Sequence, residues 1–181
     1  MPDTKSDLQA KRAELRASSQ LLAGHGHAHP ADEFERVAAY IREHDIASDN
    51  YGTGKVLEKF EREVAELLGM EAARYMPSGC MAQPIALRIW AERVGVFETA
   101  FHGTSHLELH EEKGYSALHR LKAHLLGDMD RPTQASDLDG LEPVSSLLVE
   151  LPAREIGGQL PTWEELLELT SAARKRRIRL H

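Results

Sequence analysis

Three short apolar runs, VFETAF (96–101), LKAHLL (121–126) and SSLLVEL (145–151), constrain this chain more than any other feature. Each has the length of a strand rather than a core helix, and turn or helical patterns separate them. SSLLVEL is the clearest buried strand of the three. Strands that alternate with helices imply βαβ units, because parallel neighbours need a crossover connection. The expected fold class is therefore α/β, a three-layer, mainly parallel sheet covered on both faces. AARYM (72–76) suits a further short strand, and IRLH at 178–181 reads as the start of another.

The helices follow from the spacing of apolar residues. Residues 6–22 and 31–44 look helical, the second capped near Asp32 with Phe34, Val37, Ala38 and Ile41 on one stripe. Between them GHGHAHP reads as a loop by its glycines and proline. A helix over 55–68 sets Val56, Phe60, Val64 and Leu67 on a face and stops at Gly69. After the PSG turn an apolar helix begins near Met81, with Pro84 acceptable in its first turn. A last helix spans about 162–176. No internal repeat or low-complexity segment interrupts this order.

Composition narrows the function classes. A formal net charge of −7 with a pI near 5.8 argues against a nucleic-acid or anionic-membrane partner. The basic cluster ARKRRIR (173–179) closes a helical pattern, where cations complement the helix dipole. One cysteine, Cys80, excludes an internal disulfide and fits a reducing compartment. The first nineteen residues carry no apolar core of a signal peptide or membrane span, so a cytoplasmic location is expected.

Four stretches could carry chemistry. In PSGCMAQPIALRIW (77–90) a Ser-Gly turn enters a helix, so free backbone N–H groups and the Ser78 hydroxyl could receive a phosphate. A plain helix cap has the same sequence. In HLELHEE (106–112) His106 and His110 stand four apart, as zinc ligands on one helix face would. The zinc-protease pattern, however, needs glutamate where Leu107 stands, and no third ligand is nominated; no metal is expected. His25, His27 and His29 could chelate a metal adventitiously, but a solvated loop is the better reading. ELPAREIGGQLP (150–161) follows the best strand, where open α/β sheets place ligand loops, and Gly157-Gly158 marks a tight turn or a close backbone approach. A plain strand-to-helix connection remains the alternative. Cys80 as a nucleophile lacks an evident base.

In order and spacing, these stretches resemble the threonine aldolase and aromatic amino acid β-eliminating lyase family, which uses pyridoxal 5'-phosphate (PLP). The resemblance runs over about residues 45–181. It rests on DNYGTGKVLEKFEREVAELLGMEAARYMPSG, then GCMAQPIALRIW, FHGTSHLELHEEKG, ELPAREIGGQLP and IRLH. Met-Ala-Gln and Arg-Glu-Ile-Gly-Gly place it nearer the lyase-like members than the well-studied aldolases. The resemblance implies the large domain of the aspartate aminotransferase-like (fold type I) enzymes, with 1–45 an N-terminal helical segment and 46–181 an incomplete part of that domain. It implies that His106 stacks on the cofactor ring and acts in catalysis, with Glu111 the acid behind it. Ser78, Gly79 and Cys80 would hold the phosphate, Cys80 replacing a threonine with a poorer donor. Tyr51, Glu111 and Arg154 are expected on the substrate side, Tyr51 facing a neighbouring subunit's site.

Three departures shape the functional expectation. Ala153 stands where aldolases carry a second histidine, and the usual Asp-Pro after Tyr51-Gly52 is absent. Family members also continue into an Asp-Gly-Ala-Arg segment and a Schiff-base lysine, and none of the seven lysines here has that context. The resemblance implies an N-terminal half of a PLP-dependent lyase acting on an amino-acid substrate, a homodimer or homotetramer when full-length. Threonine aldolase-like cleavage of a β-hydroxy-α-amino acid to glycine and an aldehyde is the expected activity. β-Elimination on another amino acid, or a non-catalytic remnant or assembly partner, is the alternative.

Overall fold

The computed structural model describes Lys11, Glu14 and residues 29–181, which fall into two compact units, 1–75 and 76–181. The rest of the helix expected over 6–22, and His25 and His27, lie outside the described residues.

In the first unit, α1 (Pro30–Glu43) begins two residues before the expected cap. His29 caps it, its Nδ1 accepting from the Ala31 N–H at 3.2 Å, and Pro30 supplies a preset first helical position. Asp32 and Glu33 lie in the first turn, where acids favour the dipole. The apolar stripe forms, yet α1 buries none of its residues, and Phe34 is 75% exposed. The next helix, α2 (Lys55–Leu68), has the predicted bounds and ends at Gly69, whose left-handed φ of 63° suits glycine. Between the helices Asp49 gathers the Tyr51, Thr53 and Gly54 N–H groups at 3.1, 3.2 and 2.8 Å. These bonds, that from Gly54 foremost, hold its carboxyl below the usual range. The strand expected over 72–76 does not form. Tyr75 N–H and the Arg74 guanidinium instead donate to the Glu61 carboxylate at 2.8 and 3.0 Å, which satisfies this extended segment without a neighbouring strand.

The second unit is a four-stranded parallel sheet. Its strands are β1 (Glu98–His102), β2 (Lys122–Leu126), β3 (Ser146–Leu148) and β4 (Arg179–Leu180), in spatial order β2-β1-β3-β4. β3 is shorter than the apolar run that predicts it. All three of its residues are buried, as a central parallel strand requires. Alternation along β1 and β3 sends Ala100 and Leu147 to one face, and Phe101 and Leu148 to the other. The first face packs on α6 (Trp163–Lys175) through Leu169 and Ala173. Against the second lie Leu87 and Ala91 of α3 (Gly79–Val94), Leu107 of the short α4 (His106–Leu109) and Tyr115 of α5 (Gly114–His119). Helices on both faces make the three layers expected from the strand–helix alternation.

One local expectation is corrected and one holds. α3 starts at Gly79, so Pro84 falls in its second turn, and the Cys80 carbonyl has no N–H four residues on to accept from. The basic cluster at 173–179 is a helix end in its surroundings: Arg174 and Lys175 lie in the last turn, Arg176 pairs with Asp139 at 2.8 Å, and Arg179 lies over the Trp90 ring.

Candidate active site

In a parallel sheet, β1 and β3 end at the same level, and here Phe101 lies opposite Leu148. The chain beyond each end therefore meets the other. After β1 the residues Gly103, Thr104 and Ser105 lead into α4, and after β3 come Val149 and Glu150. The Glu150 carboxylate accepts from the Ser105 hydroxyl at 2.9 Å and from the His106 N–H at 2.7 Å, through the same oxygen. Ser105 is almost fully buried, so this acceptor removes what would be a costly orphan donor. Leu107, fully buried, pins α4 to the sheet from the other side. Burying such a side chain contributes roughly 1.5–3 kcal/mol.

The His106 backbone is thus held at both ends, and its ring is held as well. Nδ1 lies 2.9 Å from a Glu111 oxygen, and Glu111 is largely buried. A carboxylate there fixes the proton on Nδ1 and leaves Nε2 as the free ring nitrogen. His110 behaves differently. Its ring centre is 5.1 Å from that of His106, but its Nε2 pairs with Glu155 at 3.0 Å, and it does not line the cleft described below. Behind them, Glu108 accepts from Tyr115 Oη at 2.7 Å and pairs with Lys113 at 2.9 Å. Lys113 first, then Tyr115, draws the Glu108 carboxyl below its ordinary value, whereas burial first pushes Tyr115 up to about 12.

Facing this segment is the N-terminus of α3. Ser78 caps it, its Oγ accepting from Met81 N–H at 3.2 Å. The N–H groups of Gly79 and Cys80 precede any intrahelical acceptor and find no other partner among the described residues. Two unpaired donors at the positive end of a helix form a receptor for an anion. Cys80 is exposed, and hydrogen bonding to Glu111 pushes its thiol pKa up, against the activation a nucleophile needs.

Between these walls lies a cleft of about 490 Å³, lined among others by Gly79, Cys80, Gln83, His106, Glu111 and Arg154. The size suits a small cofactor or substrate. Of the residues singled out in the sequence, Gly79, Cys80, His106, Glu111 and Arg154 come together here. Ser78 stands at the rim as the cap. Arg154 belongs to a 3-10 turn over Arg154–Ile156, is mostly exposed, and lies 3.5 Å from Glu155. Tyr51 belongs to the first unit and is 90% exposed. Gly157 and Gly158 both take left-handed φ, 82° and 75°, with open space where a Cβ would stand. The turn, not a close approach, is what requires them. Glu150, the first residue of ELPAREIGGQLP, is not singled out by the sequence; its only signal there is an acid at the carboxyl end of a buried strand.

Comparison with known proteins identifies the family and the fold. The family model described as beta-eliminating lyase matches residues 37–181. The "Probable low-specificity L-threonine aldolase 2" of Arabidopsis thaliana is 25% identical over 148 residues, 76% of this chain and 41% of that protein. A solved structure from Listeria monocytogenes EGD-E, assigned as an L-allo-threonine aldolase, is 40% identical with a TM-score of 0.82, covering 96% of this chain and 48% of its own. Another from Exiguobacterium sp. 255-15, assigned as an aromatic amino acid beta-eliminating lyase/threonine aldolase, is 39% identical with a TM-score of 0.81, over 94% and 48%. The four-stranded parallel sheet and its helices match the fold type I architecture of these structures. The chain spans about half the length of the solved relatives it matches.

Proposed function

The chain belongs to the beta-eliminating lyase family, and from that premise we propose that its cleft holds the phosphate and ring of PLP for a lyase acting on an α-amino acid. The observation that carries this reading is the pairing of two walls. One offers the free Gly79 and Cys80 N–H groups; the other offers an imidazole fixed by Glu111 and Glu150. A phosphate needs fixed donors at a helix end, and a pyridine ring needs a flat partner held in one orientation. The residues present fit both halves of the group.

When bound, PLP supplies an electron sink for charge that develops at the substrate Cα. The chain's own residues do the positioning. Gly79 and Cys80 bind phosphate through backbone N–H groups, a contact that survives the loss of a threonine hydroxyl at position 80. Glu150 holds His106 N–H, and Glu111 holds Nδ1, so the His106 ring presents a defined face and a free Nε2. That nitrogen can accept or return a proton at the substrate, a role worth roughly a hundredfold or more in rate. Arg154, exposed on the cleft wall, is the proposed partner of a substrate carboxylate. Tyr51 is proposed to serve a neighbouring subunit's site in a homodimer or homotetramer.

Threonine aldolase-like cleavage of a β-hydroxy-α-amino acid is the proposed reaction. One position favours β-elimination as a second reading: Ala153, where aldolases carry a histidine, is buried and its N–H bonds Gln159 O at 2.9 Å, so no imidazole enters there. We further propose that none of the lysines at 55, 59, 113, 122 and 175 anchors the cofactor covalently. Lys55 and Lys59 are exposed on α2, Lys113 pairs with Glu108, Lys122 pairs with Glu98, and Lys175 closes α6. The test is borohydride reduction of the PLP-loaded chain, followed by mass analysis and by assays for glycine and aldehyde release. Saturable PLP binding with no fixed adduct and no turnover is expected. A single stoichiometric pyridoxyl adduct with cleavage would contradict the lysine assignment, and absence of saturable binding would contradict the cofactor site.

A further inference from the structure

The sequence offers His106 and His110 as a pair of metal ligands without a third. The fold engages His110 Nε2 with Glu155 and builds another group around His106. Cys80, His106 and Glu111 each bring one ligand atom into the same neighbourhood, and all three atoms lie within 4.8 Å of one another. His110, by contrast, is turned to Glu155. A thiolate, an imidazole nitrogen and a carboxylate oxygen are the borderline-soft donor set that zinc prefers, and three protein ligands with an open fourth position suffice to hold it. Magnesium and calcium, which favour all-oxygen sites, have no such match here.

The second requirement for a metal site is that outer partners hold the ligands in place. Glu150 fixes the His106 backbone through its N–H, and the Ser105 hydroxyl shares the same carboxylate oxygen. Cys80 sits in the first turn of α3, whose packing through Leu87 and Ala91 sets its height over the sheet. Nδ1 of His106 and Oε1 of Glu111 already lie 2.9 Å apart across a proton. A cation would take the place of that proton, and the Cys80 thiol would give up its own to solvent as the bond to metal forms. The negative charge of Glu111, which disfavours thiolate beside it, would then be balanced by a divalent ion.

We propose that Cys80, His106 and Glu111 form a zinc-class cation site in the cofactor-free chain, and that cation and cofactor compete for His106. The binding stands on the three side chains alone; the competition rests on the cofactor site proposed above. A metal bound at Nδ1 lies in the plane of the imidazole and fixes the ring's orientation, and Cys80 at the helix end is drawn toward the cation where the phosphate would lie. The cation would thus act as an inhibitor that is displaced when the cofactor loads.

The test is a cobalt(II) titration of the untagged, PLP-free 181-residue chain, with zinc as the displacing ion. One equivalent should produce a tetrahedral spectrum with a thiolate-to-cobalt charge-transfer band, and zinc should abolish it. Cys80 is the only thiol, and the histidines at 25, 27 and 29 carry no sulfur, so the band reports this site. Cys80→Ser should remove the band, Glu111→Gln should weaken binding about tenfold or more, and His110→Ala should leave it unchanged, with circular dichroism confirming that each variant is folded. An octahedral spectrum without the sulfur band overturns the site, as does a loss in His110→Ala equal to that in Glu111→Gln. In the second arm, zinc-loaded chain should bind PLP at least about tenfold more weakly than zinc-free chain. Zinc binding with unchanged PLP affinity overturns the competition and places the cofactor away from His106. No zinc binding beside normal PLP binding overturns the metal site and leaves the cofactor reading standing.

Discussion

The two walls of the cleft are built on opposite plans. On the strand-end wall, the polar groups that matter are already paired: Ser105 and His106 N–H with Glu150, His106 Nδ1 with Glu111, and Tyr115 with Glu108. On the helix-end wall the Gly79 and Cys80 N–H groups have no backbone or side-chain acceptor among the described residues, and the Ser78 hydroxyl caps the Met81 N–H. A wall that must hold a ring in one orientation spends its hydrogen bonds internally, whereas a wall that must receive an anion keeps its donors open. Substitutions on the first wall should therefore damage stability as well as binding. On the second, where the proposed phosphate contact is to the backbone, side-chain changes should cost little beyond the cap.

The largest expected effect is at Glu150. Glu150→Ala leaves the buried Ser105 hydroxyl and the His106 N–H without an acceptor, a loss of about 2 kcal/mol in stability. For a chain of this size that lowers Tm by roughly 4–8 °C, measured by thermal melts followed by circular dichroism. An unchanged Tm would mean that the strand-end wall is not preorganised by this carboxylate. Next comes His106→Ala, which removes stacking worth about 1 kcal/mol, so PLP affinity in a fluorescence titration should fall about fivefold. His110→Ala should change it less than about twofold. Equal losses from the two would erase the distinction drawn between them. On the other wall, Ser78→Ala should cost at most about 1 kcal/mol of stability, the worth of one cap. Its PLP affinity should stay within about threefold if the backbone carries the phosphate.

The smallest expected effect is a pH dependence on the strand-end wall. Glu108 titrates lower in the folded chain than in the unfolded one, so its contribution is present above the unfolded value of about 4.3 and is lost as pH falls through the folded value. Tyr115 has the opposite sign. Its folded pKa is raised to about 12, so its share is intact below the unfolded value of about 10 and declines between there and about 12. Stability curves should therefore slope at both ends, and Glu108→Gln should flatten the acid limb. An acid limb unchanged by that substitution would show that the Lys113 and Tyr115 contacts do not hold Glu108.

Much of the sheet was legible because burial on both faces leaves a run such as SSLLVEL with no polar interruption, and helix spacing placed α2 to the residue. What pairs with a segment was less legible. AARYM has the residue types of a strand, but the Glu61 side chain, eleven residues before it, satisfies its backbone instead. The stripe of α1 formed as read, yet spacing says which residues share a face and not what covers them. At the site, a turn entering a helix pointed to Gly79 and Cys80, and the family resemblance pointed to His106; the cleft brings the three together. Glu150 and the approach of Cys80 to Glu111 were not, because both arise from the parallel register of β1 against β3 and the packing of α3 above them. Those contacts join residues more than thirty positions apart, and no local pattern encodes them.

The central claim is that the helix-end wall receives the cofactor phosphate through the backbone of Gly79 and Cys80. Amide NMR of the ¹⁵N-labelled chain tests it directly, comparing PLP with pyridoxal, which lacks the phosphate, in the absence of divalent cations. PLP should move the Gly79 and Cys80 amide resonances strongly, pyridoxal should move them far less, and inorganic phosphate should reproduce part of the shift. If PLP binds while those two amides stay where they are, or if pyridoxal moves them equally, the phosphate does not lie at this helix end and the account is wrong.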